Sequence, residues 1–167
     1  MIARIKRELN YRLGAKPRPD DGRCDDLDEL IPAFRERVIA VVVELEGQGF
    51  DPLVWETYRS PERVAVLVKR GVGSRRSFHM YRLAADIVSR SKQWSPEPAF
   101  WRALEAAAEH HGLTHGAGKT RVDLPHIQAL PHDRYSLVAR IGRSDPYQLE
   151  RMVTTYLDAF DAKPVGT

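Results

Sequence analysis

Apolar side chains recur at three- and four-residue steps through Leu27, Leu30, Ile31, Phe34, Val38, Val41, Val42 and Leu45. That spacing puts them on one face and predicts a core helix over roughly 27–47. Asp25 or Asp26 can cap its start, Pro32 is tolerated in its first turn or so, and Gly47 and Gly49 end it. The period then changes. Leu53-Val-Trp-Glu-Thr-Tyr58 is short and β-prone, and predicts a strand ending at Arg59. Ser60-Pro61-Glu62 supplies an N-cap, a proline for the first helical position and an acid in the first turn. The helix so started carries Val64, Leu67 and Val68 and stops at Gly71. Arg59 therefore stands at a strand-to-helix junction, from which its side chain can enter a cleft or remain on the surface.

Residues 71–78 form a basic loop, and Ala84-Ala-Asp86-Ile-Val88 predicts a buried strand. A carboxylate among such neighbours calls for a compensating partner, and a metal ion is a strong one. Ser95-Pro96-Glu97 repeats the cap–proline–acid start, followed by a helix to about His111 with Phe100, Leu104, Ala107, Ala108 and His111 inward. Adjacent His110 and His111 are expected to diverge, which makes them a poor metal pair. A glycine-containing loop, Gly112 to Arg121, leads to a strand over Val122–Leu130 bearing Asp123 and His126. His132-Asp-Arg-Tyr135 belongs to a following loop. Ser144-Asp-Pro146 starts a last helix faced by Leu149, Met152, Val153, Tyr156 and Phe160. Helices thus alternate irregularly with a few short strands, an α+β pattern with a small sheet. Residues 1–26 are expected to be a short basic helix and a loop, 27–161 one catalytic domain, and 162–167 a frayed tail.

Composition narrows this modestly. A chain of 167 residues suits one core, and 43% hydrophobic with 29% charged residues is ordinary for a globular protein. A net charge of +3 and a pI near 9.1 favour an anionic partner. The arginines are spread over several segments and no recognised nucleic-acid motif occurs, so specific nucleic-acid binding is not expected. Cys24 is the one cysteine, which excludes an intramolecular disulfide and a cysteine-based zinc site. No apolar run has the length of a signal peptide or a membrane span. The expectation is synthesis in the cytoplasm, with a separate membrane-permeabilising factor releasing the protein if its target lies outside.

The chemistry gathers in three places. His79 and Asp86 lie seven residues apart, and His126 follows forty residues after Asp86. A His/Asp/His set leaves one tetrahedral position of a Zn2+ ion for water, as in a catalytic site. Asp123, three residues before His126, can act as general base on that water, and Arg59 can hold the oxyanion that forms.

Ser77-x-His79-x-x-Arg82-x-Ala84-x-Asp86 resembles the Ser-x-His-x-x-Gly-x-Ala-x-Asp signature of the M15 metallopeptidases. Asp123-Leu-Pro-His126-Ile-Gln128 is similar to that family's second motif, and Tyr58-Arg59-Ser60 to its Gly-Tyr-Arg-Ser/Thr segment. The resemblance covers about residues 27–131. It implies a Hedgehog/D,D-peptidase fold, a small antiparallel sheet flanked by helices, with His79, Asp86 and His126 on one zinc ion. It also implies Asp123 and Arg59 as catalytic residues. Ser77, Arg59, Gln128 and His115 are the expected substrate contacts, with a surface role for His115 as the alternative. The implied activity is hydrolysis of a peptidoglycan stem or cross-link peptide containing D-residues. An endolysin-like L-alanyl-D-glutamate endopeptidase is favoured over a D,D-carboxypeptidase or dipeptidase. The alternative is a non-catalytic, zinc-stabilised wall-binding or virion-associated module, against which the presence of Asp123 argues. Two glycines of the family pattern are Thr57 and Arg82 here, so the bend at 82 must be made by a residue with a side chain. The tryptophan-containing segment before the last strand of endolysin-like members is replaced by Gly112-Leu-Thr-His115-Gly-Ala-Gly-Lys119.

Overall fold

Proline decides where the helices begin. The computed structural model describes residues 22–116 and 123–162. The expected N-terminal helix, Val122 and residues 163–167 lie outside that range. The apolar stripe starting at Leu27 is divided between two elements. Leu27–Glu29 is a 3-10 turn, capped by the Asp26 carboxylate on the Asp28 N–H at 2.9 Å, and helix α1 runs Pro32–Gly47. Ile31 is held extended by the proline ring that follows it, so the helix cannot start earlier. Leu27, Leu30, Ile31, Phe34, Val38, Val41, Val42 and Leu45 are nevertheless all buried, as their spacing predicts.

Strand β1 is Pro52–Glu56, and helix α2 is Pro61–Lys69, with the Ser60 hydroxyl accepting from the Arg63 N–H. A 3-10 turn over Phe78–Tyr81 leads into β2, Ala84–Ser89, buried at every position. Helix α3 is Pro98–His110 and begins two residues later than Ser95-Pro96-Glu97 suggests. A second proline at 98 holds Glu97 at φ −61°, ψ 151°, so Glu97 becomes the N-cap. Strand β3 is Thr114–His115, and β4 is His126–Gln128. The latter is shorter than the predicted strand because Asp123–Pro125 form a turn, the Asp123 carbonyl accepting from the His126 N–H. The segment read as loop after His132 holds a further helix. This α4, Tyr135–Ser144, buries Tyr135, Val138 and Ala139, a stripe hidden by the polar residues between them. Helix α5 is Pro146–Asp161, with Asp145 as its N-cap. Its inner face is Leu149, Val153 and Leu157, while Tyr156 stands 39% exposed.

The four strands pair antiparallel in the order β1-β2-β4-β3, and the helices flank the sheet, the α+β arrangement expected. One hydrophobic cluster extends from Leu27 to Leu157, with α1 packed against α3 and α5. Arg37 clamps these helices together, donating to the Asp161 carboxylate at 2.6 Å and to the carbonyls of Leu157 and His111. Gly112 turns the chain out of α3 with φ +71°, and a Cβ there would lie 2.6 Å from the Phe160 ring, so only glycine fits. Among the described residues no helix is long and apolar enough to cross a membrane.

Candidate metal centre

Strand register assembles the site. Asp86 on the central strand β2 pairs with His126 of β4 on one side and Glu56 of β1 on the other. A bulge between Val54 and Glu56 shifts the register and turns the Glu56 carboxylate inward, leaving it 2% exposed. His79 arrives from the 3-10 turn before β2, completely buried. His79 Nε2 lies 3.2 Å and His126 Nδ1 3.1 Å from the same oxygen, Asp86 Oδ1.

Neighbouring groups fix what those ring nitrogens carry. His79 Nδ1 lies 2.5 Å from the Thr57 carbonyl, which can only accept, so Nδ1 bears the hydrogen and Nε2 a lone pair. The Gln128 amide nitrogen donates to the Leu130 carbonyl, which turns Gln128 Oε1 toward His126 Nε2 at 3.0 Å. His126 Nε2 must then donate, leaving Nδ1 with its lone pair. Two imidazole lone pairs and a carboxylate oxygen therefore converge on one buried point. Three acceptors without a shared cation would repel, so the point must hold a proton or a metal ion. The described residues fit the ion: three donor atoms lie within 4.8 Å of one another, two of them nitrogen, which suits borderline divalent metals.

The electrostatics agree. Burial alone would raise the Asp86 pKa, but His79, His126 and Arg59 outweigh it and hold the carboxyl well below the usual range. Burial lowers the His79 pKa and keeps that ring neutral, against the pull of Asp86. For His126 burial is overcome by the hydrogen bond to Asp86 and by the charges of Asp86 and Asp123, so its pKa is raised. Of the two rings, His126 is thus the one whose surroundings favour a proton between the three acceptors. The group could hold a metal ion in that proton's stead.

Arg59 faces the other side of Asp86. Its guanidinium donates to Asp86 Oδ2 at 2.6 Å and, through Nε, to Glu56 Oε2 at 2.8 Å. Glu56 Oε1 accepts from Arg63 Nε at 3.0 Å, so one buried carboxylate spans both arginines. Glu56 and Arg63 escape the sequence reading because one stands in an apolar strand and the other in an amphipathic helix. The usable signal was an acid among β-formers with arginines three and seven residues later. Thr57 is the other omission. Its hydroxyl donates to the Asp26 carbonyl at 2.9 Å, tying the segment before α1 to the backbone that orients His79.

The remaining predicted residues are distributed around this core. Asp123 is exposed at the start of the turn before β4, near enough for its charge to act on both His126 and Arg59. His115 Nε2 donates to the Leu124 carbonyl at 2.7 Å, holding the turn that carries Asp123. Gln128 is 1% exposed and both ends of its amide have partners, which puts it behind His126. Ser77 is 7% exposed and precedes the His79 turn. Arg82 ends that turn at φ 62°, ψ 32°, the left-handed conformation. The glycine of the M15 pattern falls at this very residue. Here the strain is opposed by contacts of the side chain with Glu29 at 3.1 Å and with the Tyr58 ring at 5.1 Å.

Of His79, Asp86 and His126, only His126 has a side chain as much as 12% exposed, and Arg59 beside it reaches 16%. Solvent therefore reaches the group from the side of His126, Arg59 and the exposed Asp123. No protein-family model and no curated protein matches the chain. Among solved structures it is similar to the LdcB LD-carboxypeptidase, a structure described as revealing the molecular basis of peptidoglycan recognition. The two share 16% identity with a TM-score of 0.48, over 72% of this chain and 67% of that one. A likeness this distant says nothing about activity, which has to be argued from the side chains.

Proposed function

We propose that this chain is a zinc-dependent peptidase that cuts a peptidoglycan stem or cross-link peptide containing D-amino acids. The observation that carries the reading is the pair of tautomer-fixed imidazoles whose lone pairs converge with Asp86 Oδ1, next to Arg59 and Asp123 on the open side. His79 Nε2, Asp86 Oδ1 and His126 Nδ1 are the atoms that would hold the ion. When bound, zinc with three protein ligands supplies a Lewis acid and makes water a nucleophile near neutral pH. The M15-like motifs at Ser77–Asp86 and Asp123–Gln128 support the substrate class.

The chain's own groups divide the remaining work. Asp123, exposed and on the approach side, takes a proton from the attacking water and returns it to the leaving amine. Arg59 keeps Asp86 ionised and presents guanidinium hydrogens to the oxyanion that develops on the scissile carbonyl. Glu56 holds Arg59 in that orientation, and Thr57 and Gln128 keep the imidazoles facing the centre. His115 holds the turn bearing Asp123, and Ser77 lies beside the substrate path.

The test is digestion of purified peptidoglycan with zinc-loaded and chelator-stripped protein, with mass spectrometry of the fragments. The expected result is new amino termini only in the zinc-loaded sample, their identity naming the bond; L-alanyl-D-glutamate cleavage is the bond proposed. Stoichiometric zinc with pelleting on the wall but no fragments would replace the peptidase with a non-catalytic wall-binding module.

A further inference from the structure

Glu44, His110 and His111 come together away from the centre described above. Glu44 lies in the last turn of α1, His110 is the last residue of α3, and His111 is its C-cap. The adjacent histidines do not diverge as the sequence suggests. Their rings are tilted by 33° with centroids 4.8 Å apart, and both reach one oxygen, Glu44 Oε2. His110 Nδ1 is 2.8 Å and His111 Nε2 2.9 Å from it. The α3 helix ends at this point, which frees the His111 ring to swing back beside its neighbour.

We propose that Glu44, His110 and His111 form a second divalent-metal site, selective for borderline transition ions such as Zn2+, Ni2+ or Cu2+, that clamps α1 to the end of α3. The three donor atoms already lie within 4.8 Å of one another. A tetrahedral ion with bonds of about 2.0–2.1 Å needs donors roughly 3.3 Å apart, so each nitrogen has to withdraw from Glu44 by only about half an ångström. Two imidazoles and one carboxylate exclude Ca2+ and Mg2+, which demand oxygen ligands.

The electrostatic setting favours a cation. Glu44 sits three residues before the end of α1, and the histidines are at the end of α3, so the negative poles of two helix dipoles meet here. Glu44 is held below its ordinary pKa, mainly by the hydrogen bond from His110, and so is ready as an anionic ligand. The nearby positive group, Arg37, bonds the His111 carbonyl, but its charge is balanced by Asp161. Among the described residues the Glu44 Oε1 oxygen has only a long contact to Gln48 at 3.4 Å and is available to a second bond. Unlike the buried centre, these rings have no further partner among the described residues to fix their tautomers, and the His110 side chain is 70% exposed. The site is therefore weaker than the buried one and keeps open positions for water.

The test is calorimetric titration of the full chain with zinc after chelator stripping. The expected isotherm has two phases, one tight and one weaker by at least tenfold. Both His110→Ala/His111→Ala and Glu44→Gln should lose the weaker phase, keep the tight one and digest peptidoglycan at the wild-type rate. Should the double variant fold poorly by far-UV circular dichroism, His110→Ala alone, a change at a surface side chain, should weaken the second phase at least tenfold. Raising zinc through the weaker phase should raise the melting temperature by a few degrees in wild type and not in Glu44→Gln. A wild-type isotherm without the weaker phase, or a weaker phase that persists in Glu44→Gln, would overturn the proposal. Failure of the tight phase alone would instead count against the buried centre.

Discussion

Replacing Glu56 with glutamine removes one negative charge from the middle of a buried network while leaving its shape in place. In the native chain the Glu56 carboxylate takes Arg59 on one oxygen and Arg63 on the other, at 2.8 and 3.0 Å, with its side chain 3% exposed. The amide keeps one oxygen acceptor but turns donor hydrogens toward the second guanidinium, so one arginine loses its bond to residue 56 while Arg59 keeps Asp86 Oδ2. Losing a hydrogen bond to a charged group costs about 1.5–3 kcal/mol, and the burial of the Glu56 side chain places Glu56→Gln near the upper end, about 3 kcal/mol. For a chain of this size that is a fall in melting temperature of roughly 6–12 °C. Arg59 also loses the group that aims it, while His79, Asp86 and His126 are untouched. Zinc stoichiometry should therefore remain one at the buried centre as peptidoglycan digestion falls by about 10²-fold, the size expected from misplacing a positioning group. Thermal melts, zinc titration and fragment release read the three quantities separately. A variant that melts within about 2 °C of wild type and digests at the same rate would refute the role given to Glu56, since the lost hydrogen bond to a charged group should cost about 1.5 kcal/mol or more.

Other changes test other parts of the structure. At position 82 glycine should be more stable than alanine by about 1 kcal/mol, because both lose the Glu29 and Tyr58 contacts but only alanine keeps the left-handed strain; equal melting temperatures would contradict this. Thr57→Val should cost about 1 kcal/mol in denaturant melts by removing the hydroxyl's bond to the Asp26 carbonyl, which keeps the Glu29 N–H, yet retain zinc because the carbonyl that orients His79 is backbone. Asp51 is desolvated, but the hydrogen bonds from Ser91 and Ser89 prevail and lower its pKa from 3.8. A lowered carboxyl stabilises the fold above its unfolded pKa and loses that contribution as pH falls through the folded value. The gap in melting temperature between wild type and Asp51→Asn should thus be present at pH 6 and close below about pH 3.8; a gap unchanged at pH 3 would refute it.

Much of the candidate site was legible because the surroundings of His79, Asp86 and His126 are constrained by local sequence. Asp86 among Ala84, Ala85, Ile87 and Val88 could hardly be solvated, and the structure buries it at the centre of the sheet. What joins the site together is not local. Nothing in the Glu56 neighbourhood foretells the bulge that places it beside Asp86, and no spacing reveals that the Thr57 carbonyl sets the His79 tautomer. Gln128 reads as a substrate contact from its motif, whereas two short hydrogen bonds within the chain occupy it. The fold shows the same division. Apolar periodicity recovered α1, α2, α3 and α5, but α4 was missed because the polar residues between Tyr135, Val138 and Ala139 hide its short buried stripe. The start of α3 was misplaced because two prolines compete for one N-terminus, and the second prevails. His110 and His111 converge because the helix stops between them, a boundary that spacing alone does not locate.

The central claim is that one divalent ion sits on three particular atoms, and a crystal of zinc-loaded protein measured at the zinc absorption edge tests it most directly. The account predicts an anomalous peak about 2.0–2.2 Å from His79 Nε2, Asp86 Oδ1 and His126 Nδ1, with Thr57 and Gln128 still bonded to the far ring nitrogens. No peak between these side chains at saturating zinc, or an ion bound through His126 Nε2 with Gln128 displaced, would contradict it.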